Sequence, residues 1–145
     1  MKWITRERPR VDRVACPWLI EEFVDKDAVF IYVPADQVMT EARRQNATPY
    51  DVKDVELGHR GAECSFDAFV RKYGLEKDPA MSYMAKVIRG ADTADKTLTP
   101  ESIGLEALLE GVRLAHQPDD QRQREASRPI LDALYGYCQA KVAAV

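Results

Sequence analysis

Between Gly58 and Asp67 the chain reads Gly-His-Arg-Gly-Ala-Glu-Cys-Ser-Phe-Asp, holding one of two histidines and one of three cysteines in 145 residues. His59, Glu63 and Cys64 are three metal-ligand types within six positions, a set that suits one divalent transition ion such as zinc, iron or manganese. A mononuclear site needs at least one donor from elsewhere, and Asp92, Asp12 and Cys16 are the available ones. The spacing alone does not compel a site. Gly61 interrupts a regular helical His–Glu pair, and no zinc-binding signature is present. A backbone-bonded histidine, an exposed glutamate and a buried cysteine would give the same letters.

The same stretch suits a second chemistry. Ser65 is an N-cap residue for a helix over Phe66–Tyr73, with Asp67 in its first turn. A cysteine at a helix N-terminus beside Arg60 is expected to have a lowered thiol pKa, and free N–H groups with an arginine alongside suit a tetrahedral oxyanion. Asp67 opposes that by bringing negative charge to the same turn. Metal and anion therefore make opposite demands on the acids. Two further loops carry matching residues: Asp12-Arg13-Val14-Ala15-Cys16-Pro17-Trp18 upstream and Ile88-Arg89-Gly90-Ala91-Asp92 downstream. Simpler roles exist for each. Cys16 and Trp18 fit a core, Arg89 a helix C-terminus, Gly90 a left-handed C′ position, and Asp92 and Asp95 turn formers.

These loops need elements to hold them. Lys2–Arg6 reads as a short strand, and Val11, Val14, Ala15, Trp18, Leu19 and Phe23 recur at helical spacing around Pro17. Residues 28–33 form an unbroken β-former run of the buried type. Pro34 opens a helix to about Gln45 with Val38, Met39 and Ala42 inward, and Asn46–Pro49 reads as a turn before a third strand at Val52–Leu57. Helices follow: one stopped by Gly74, one from Asp78-Pro79 to Gly90, one from Thr99–Glu101 to His116, and one over 119–144 containing Pro129. The expectation is an α-rich α/β fold over residues 1–145: about three mainly parallel strands in the N-terminal half, packed by helices, and an all-helical C-terminal half.

Composition narrows the partners. A net charge of −3 offers no electrostatic case for nucleic acid, although Arg6, Arg8, Arg10 and Arg13 crowd one end as a local basic patch or a solvated arm. Three widely spaced cysteines predict reduced thiols and a cytoplasmic protein. No secretion signal and no apolar run of membrane-spanning length is visible.

Taken in order, Lys2–Arg13, Ala15–Ile20, His59-Arg60-Gly61 with Cys64–Asp67, and Ile88–Asp92 resemble the C-terminal domain of the ChrB-type chromate-resistance family over essentially the whole chain. The resemblance implies a place in bacterial chromate resistance, where full-length members act as chromate-responsive regulators of an efflux operon. Their additional N-terminal region is the DNA-binding one, so DNA binding is not expected of this chain alone. The motif residues imply a site at Asp12, Arg13, Cys16, His59, Arg60, Cys64, Asp67, Arg89 and Asp92. Two functions fit. A sensing or accessory module would hold a metal through His59, Glu63, Cys64 and Asp92, with Arg13, Arg60 and Arg89, beside Asp12 and Asp67, receiving chromate or sulfate. An enzyme acting on an oxyanion would use Cys64 as nucleophile or reductant and His59 as acid–base. A homodimer is left open.

Overall fold

The computed structural model describes residues 1–144. Three parallel strands, β1 (Lys2–Arg6), β2 (Val29–Val33) and β3 (Thr48–Pro49), lie in the order β2-β1-β3, with Trp3 opposite both Phe30 and Thr48. Parallel neighbours require crossovers, which α1 (Val11–Phe23) and α2 (Val38–Gln45) supply. β1 is central and alternates between two buried faces. Trp3 joins the main core with Trp18, Phe30, Tyr50 and Phe69, while Ile4 packs on the other face with Val38, Ala42 and Ala47.

The third strand is not where the pattern placed it. Residues 51–58 are turns, and the pairing falls on Thr48–Pro49 in the segment expected to turn. Asp51 and Asp54 have φ of 50° and 63°, left-handed values that cannot continue a ladder. Met39, expected inward, is exposed, because α2 turns only Val38 and Ala42 to the sheet.

The C-terminal half is helical: α3 (Ser65–Lys72), α4 (Pro79–Asp92), α5 (Ser102–His116) and α6 (Asp120–Ala143). α4 is the hub, touching α1, α3, α5 and α6. α1 is buried along its first ten residues, Asp12 and Arg13 included, despite Pro17 in its interior. Trp18 and Cys16 are core residues, and the Trp18 indole N–H donates to Asp132 at 2.7 Å. Gly90 does not end α4. The helix continues to Asp92, and a Cβ on Gly90 would stand 2.2 Å from Ser102 Oγ, so the glycine lets α5 approach α4. Gly74 does take the left-handed stop, at φ 66°. Among the described residues no helix is long and apolar enough to cross a membrane.

Candidate metal centre

Three elements bring carboxylates to one imidazole. Asp12 comes from the first turn of α1, Asp51 from the turn after β3, and Asp92 from the last residue of α4. His59 Nε2 lies 3.5 Å from Asp12 Oδ2, 3.1 Å from Asp51 Oδ1 and 3.2 Å from Asp92 Oδ2. The three acids are nearly or wholly buried, whereas the His59 side chain is 46% exposed. Donor atoms of Asp12, Asp51 and His59 fall within 4.8 Å of one another, as do those of Asp12, Cys64 and Asp92.

Local structure explains why acids tolerate this burial. Ser65 N–H and Phe66 N–H donate to Asp12 Oδ2 and Oδ1 at 2.6 and 3.1 Å, so Asp12 closes the N-terminus of α3 from another helix. Asp12 N–H in turn donates to Asp92 Oδ1 at 3.2 Å, and Ser65 Oγ–H to Asp51 Oδ1 at 3.0 Å. The positive ends of α1 and α3 thus face the acids, which fix one another's rotamers as an outer hydrogen-bonding shell does in metal sites.

Burial still dominates the titration. It raises Asp12, and it raises Asp92 to about 7 with added repulsion from Asp12 and Asp51. Hydrogen bonding to Asp12 and Asp51 lifts His59 from 6.5 to about 10. The donors present, three carboxylates, an imidazole and a nearby thiol, fit a hard to borderline divalent ion.

Other expected residues lie elsewhere. Glu63 does not join the cluster: the tight turn Arg60–Glu63, with Gly61 at φ 59°, sends it toward Arg71 at 2.8 Å. Arg60 is exposed and lines a different cleft with Glu56 and Lys72. Asp67 takes Cys64 N–H at 3.0 Å and both Arg89 Nε and Nη2, at 3.1 and 2.9 Å. Arg13 donates to Arg8 O and faces Asp51 at 3.6 Å. The basic end is likewise dispersed, since Arg6 faces Asp51, Arg8 Asp120 and Arg10 Glu110.

Cys64, not Ser65, is the N-cap of α3. Its thiol is not lowered. Burial with Asp12 and Asp67 nearby drives it far up, and Sγ donates to Asp67 Oδ2 at 3.3 Å. Cys16 is raised for the same reason. Asp51 is the one member of the centre that residue types and spacing do not mark. Its signal is position: it follows the C-terminal end of a parallel strand, where α/β sheets place ligands, but only once Thr48–Pro49 is recognised as that strand.

The exposed edge of His59 opens onto two clefts of about 550 and 500 Å³. One is lined by Arg6, Lys53 and Asp54, the other by Arg89, Thr93 and Asp95.

No solved structure matches the chain. A protein named ChrB from Cupriavidus metallidurans is 31% identical over 134 residues. That match covers 92% of this chain and 40% of the relative, so the chain spans well under half of that protein's length. The family model described as "ChrB, C-terminal domain" matches residues 3–138. That span covers nearly the whole chain, every acid of the centre and His59 included, and the chain belongs to the ChrB C-terminal domain family.

Proposed function

We propose that this chain is a metal-binding sensor or accessory module of chromate resistance, holding one divalent transition ion through Asp12, Asp51, His59 and Asp92 with Cys64 at its edge. One observation carries the reading: oxygens of two buried aspartates and the mostly covered Asp92 converge within 3.5 Å of a single imidazole nitrogen. The single Nε2 hydrogen can serve only one of the three carboxylate oxygens around it at a time, whereas a dication accepts all three at once. An occupied site ties α1, the 51–59 turns and α4 together. That coupling is what lets a small ligand alter the surface presented to a neighbouring region. Oxyanion capture has weaker support. The α3 N–H groups are taken by Asp12 and Asp67, Arg89 is committed to Asp67, and Arg13 to Asp51.

Metal analysis of reduced, tag-free protein after exposure to zinc or manganese tests the reading. We expect about one ion per chain, lost in His59→Ala and in Asp92→Asn and retained in Glu63→Ala. A chain that takes up neither ion, or a His59→Ala variant that binds like the parent, sinks it. A second reading, a metal-dependent enzyme acting on an oxyanion, is favoured by the half-exposed His59 edge, because catalytic ions keep an open side. Chromate consumption by the metal-loaded protein, compared with His59→Ala at equal reductant, separates the two: only an enzyme distinguishes them. A thiol route has little support from Cys64, which is fully buried and firmly protonated.

A further inference from the structure

α5 presents a face that the rest of the chain does not use. Its inner side buries Ser102, Leu105 and Leu109. Its charged residues sit on the flanks and are paired within the chain: Glu106 with Lys96, Glu110 with Arg113, and Glu101 with Tyr83 and Tyr137. The outward remainder, Ile103, Gly104, Ala107, Leu108, Gly111 and Leu114, is exposed and wholly apolar. Ile103 is 60% exposed, Leu108 58% and Leu114 57%. An ordinary solvated helix carries its charges on that side.

The glycines make the face specific. Gly104 and Gly111 lie inside a helix, where glycine is a poor choice beside alanine. Nothing in this chain requires them: neither has a positive φ, and a Cβ on either meets nothing within 4 Å. Gly90 is the contrast, pressed against Ser102. A missing Cβ in open space serves a backbone that approaches from outside.

The pattern is also symmetric. About the midpoint between Ala107 and Leu108, Gly104 mirrors Gly111, and Ala107 and Leu108 exchange places. An antiparallel copy of the same helix therefore sets glycine against glycine and Leu108 against Ala107, as a two-fold isologous contact allows. We infer that two copies of this chain pair through α5, antiparallel, with Gly104 of one copy against Gly111 of the second.

Area supports a second copy as the occupant. Tyr137, 47% exposed, extends the face from α6, its hydroxyl donating to Glu101 at the start of α5. Four large side chains leave on the order of 100 Å² each, so two copies bury roughly 800 Å² before the helix backbones are added, approaching the ~1,200 Å² of a stable interface. The face offers no unpaired charge with which to select a charged partner. The pairing does not depend on the metal centre.

Sedimentation velocity on the full chain from roughly 1 to 500 µM tests it. The parent should be a dimer at the upper end, and Leu108→Glu a monomer with unchanged helical circular dichroism. Ala107→Cys, beside the two-fold, should cross-link to itself under oxidised glutathione while the parent, whose three cysteines are buried, does not. A parent that stays monomeric throughout overturns the inference. So does a Leu108→Glu variant that remains dimeric, or an Ala107→Cys variant that fails to cross-link.

Discussion

The aspartate centre and the outer face of α5 depart from ordinary protein surface in opposite directions. At the centre, polar groups are buried. Asp12, Asp51 and Asp92 give up water, yet nearly every oxygen has a donor: a helix N–H, a serine hydroxyl, an arginine or His59. On α5, apolar groups are exposed, with Ile103, Leu108 and Leu114 more than half open to water. Buried acids and bare leucines both cost stability unless something answers them. On the readings proposed here, a dication would answer the first and an apolar surface the second. The glycines repeat the contrast, since Gly90 serves the chain's own packing while Gly104 and Gly111 serve none of it.

The strongest way to break this comparison is to remove Asp12. Asp12→Ala leaves the Ser65 and Phe66 N–H groups buried without their acceptor, and should destabilise the fold by about 2–4 kcal/mol in urea unfolding. A loss below about 1 kcal/mol would mean the acid is held for a ligand and not for α3. Next come the glycines. Gly90→Ala forces a methyl into Ser102 and should cost about 1–3 kcal/mol. Gly104→Ala, measured on the Leu108→Glu background where copies cannot pair, should gain up to about 1 kcal/mol. Equal effects at both positions would erase the distinction between inner and outer glycines.

A third test uses pH. Folded His59 titrates near 10 against 6.5 in the unfolded chain, so its contribution is complete below pH 6.5 and disappears as pH rises through 10. Asp92, near 7 folded against 3.8 unfolded, acts in the same direction between those values, because the folded chain keeps a proton that the unfolded chain releases. Chelator-treated protein should therefore melt at falling temperature from about pH 6.5 to 10, where His59 loses its contribution. A divalent ion displaces these protons, so zinc should flatten the decline above neutrality and bind with proton release, measurable by calorimetry in two buffers. A metal-free chain whose melting temperature rises over that range would contradict the assignment. The smallest effect is expected at Glu63→Gln. Its pair with Arg71 is half exposed, and its loss should change unfolding by less than about 0.5 kcal/mol and leave metal uptake intact.

Much of the frame is legible in the residues alone. The Val29–Val33 strand, the α1 periodicity, the Gly74 stop and the helical second half all follow from local pattern, and local pattern is what a sequence displays. Three of the four residues converging at the centre, Asp12, His59 and Asp92, are also visible there, because their motifs combine glycines or prolines with chemically capable side chains. Asp51 is not. It hides in a segment whose strand is two residues long and whose turns run through left-handed aspartates, so neither periodicity nor turn chemistry marks it.

The sequence by itself determined the elements, the family and a short roster of polar residues, since these depend on neighbours within a few positions along the chain. Only the tertiary structure decided which of them meet. A turn at Gly61 carries Glu63 away from His59. Asp12 seals the end of α3, where local pattern favours an oxyanion. Cys64, beside two carboxylates, keeps its proton where the helix terminus alone would have removed it. Electrostatics and coordination act through distance in space, and residues 12, 51, 59 and 92 become neighbours only when α1, the turns after β3 and α4 are packed.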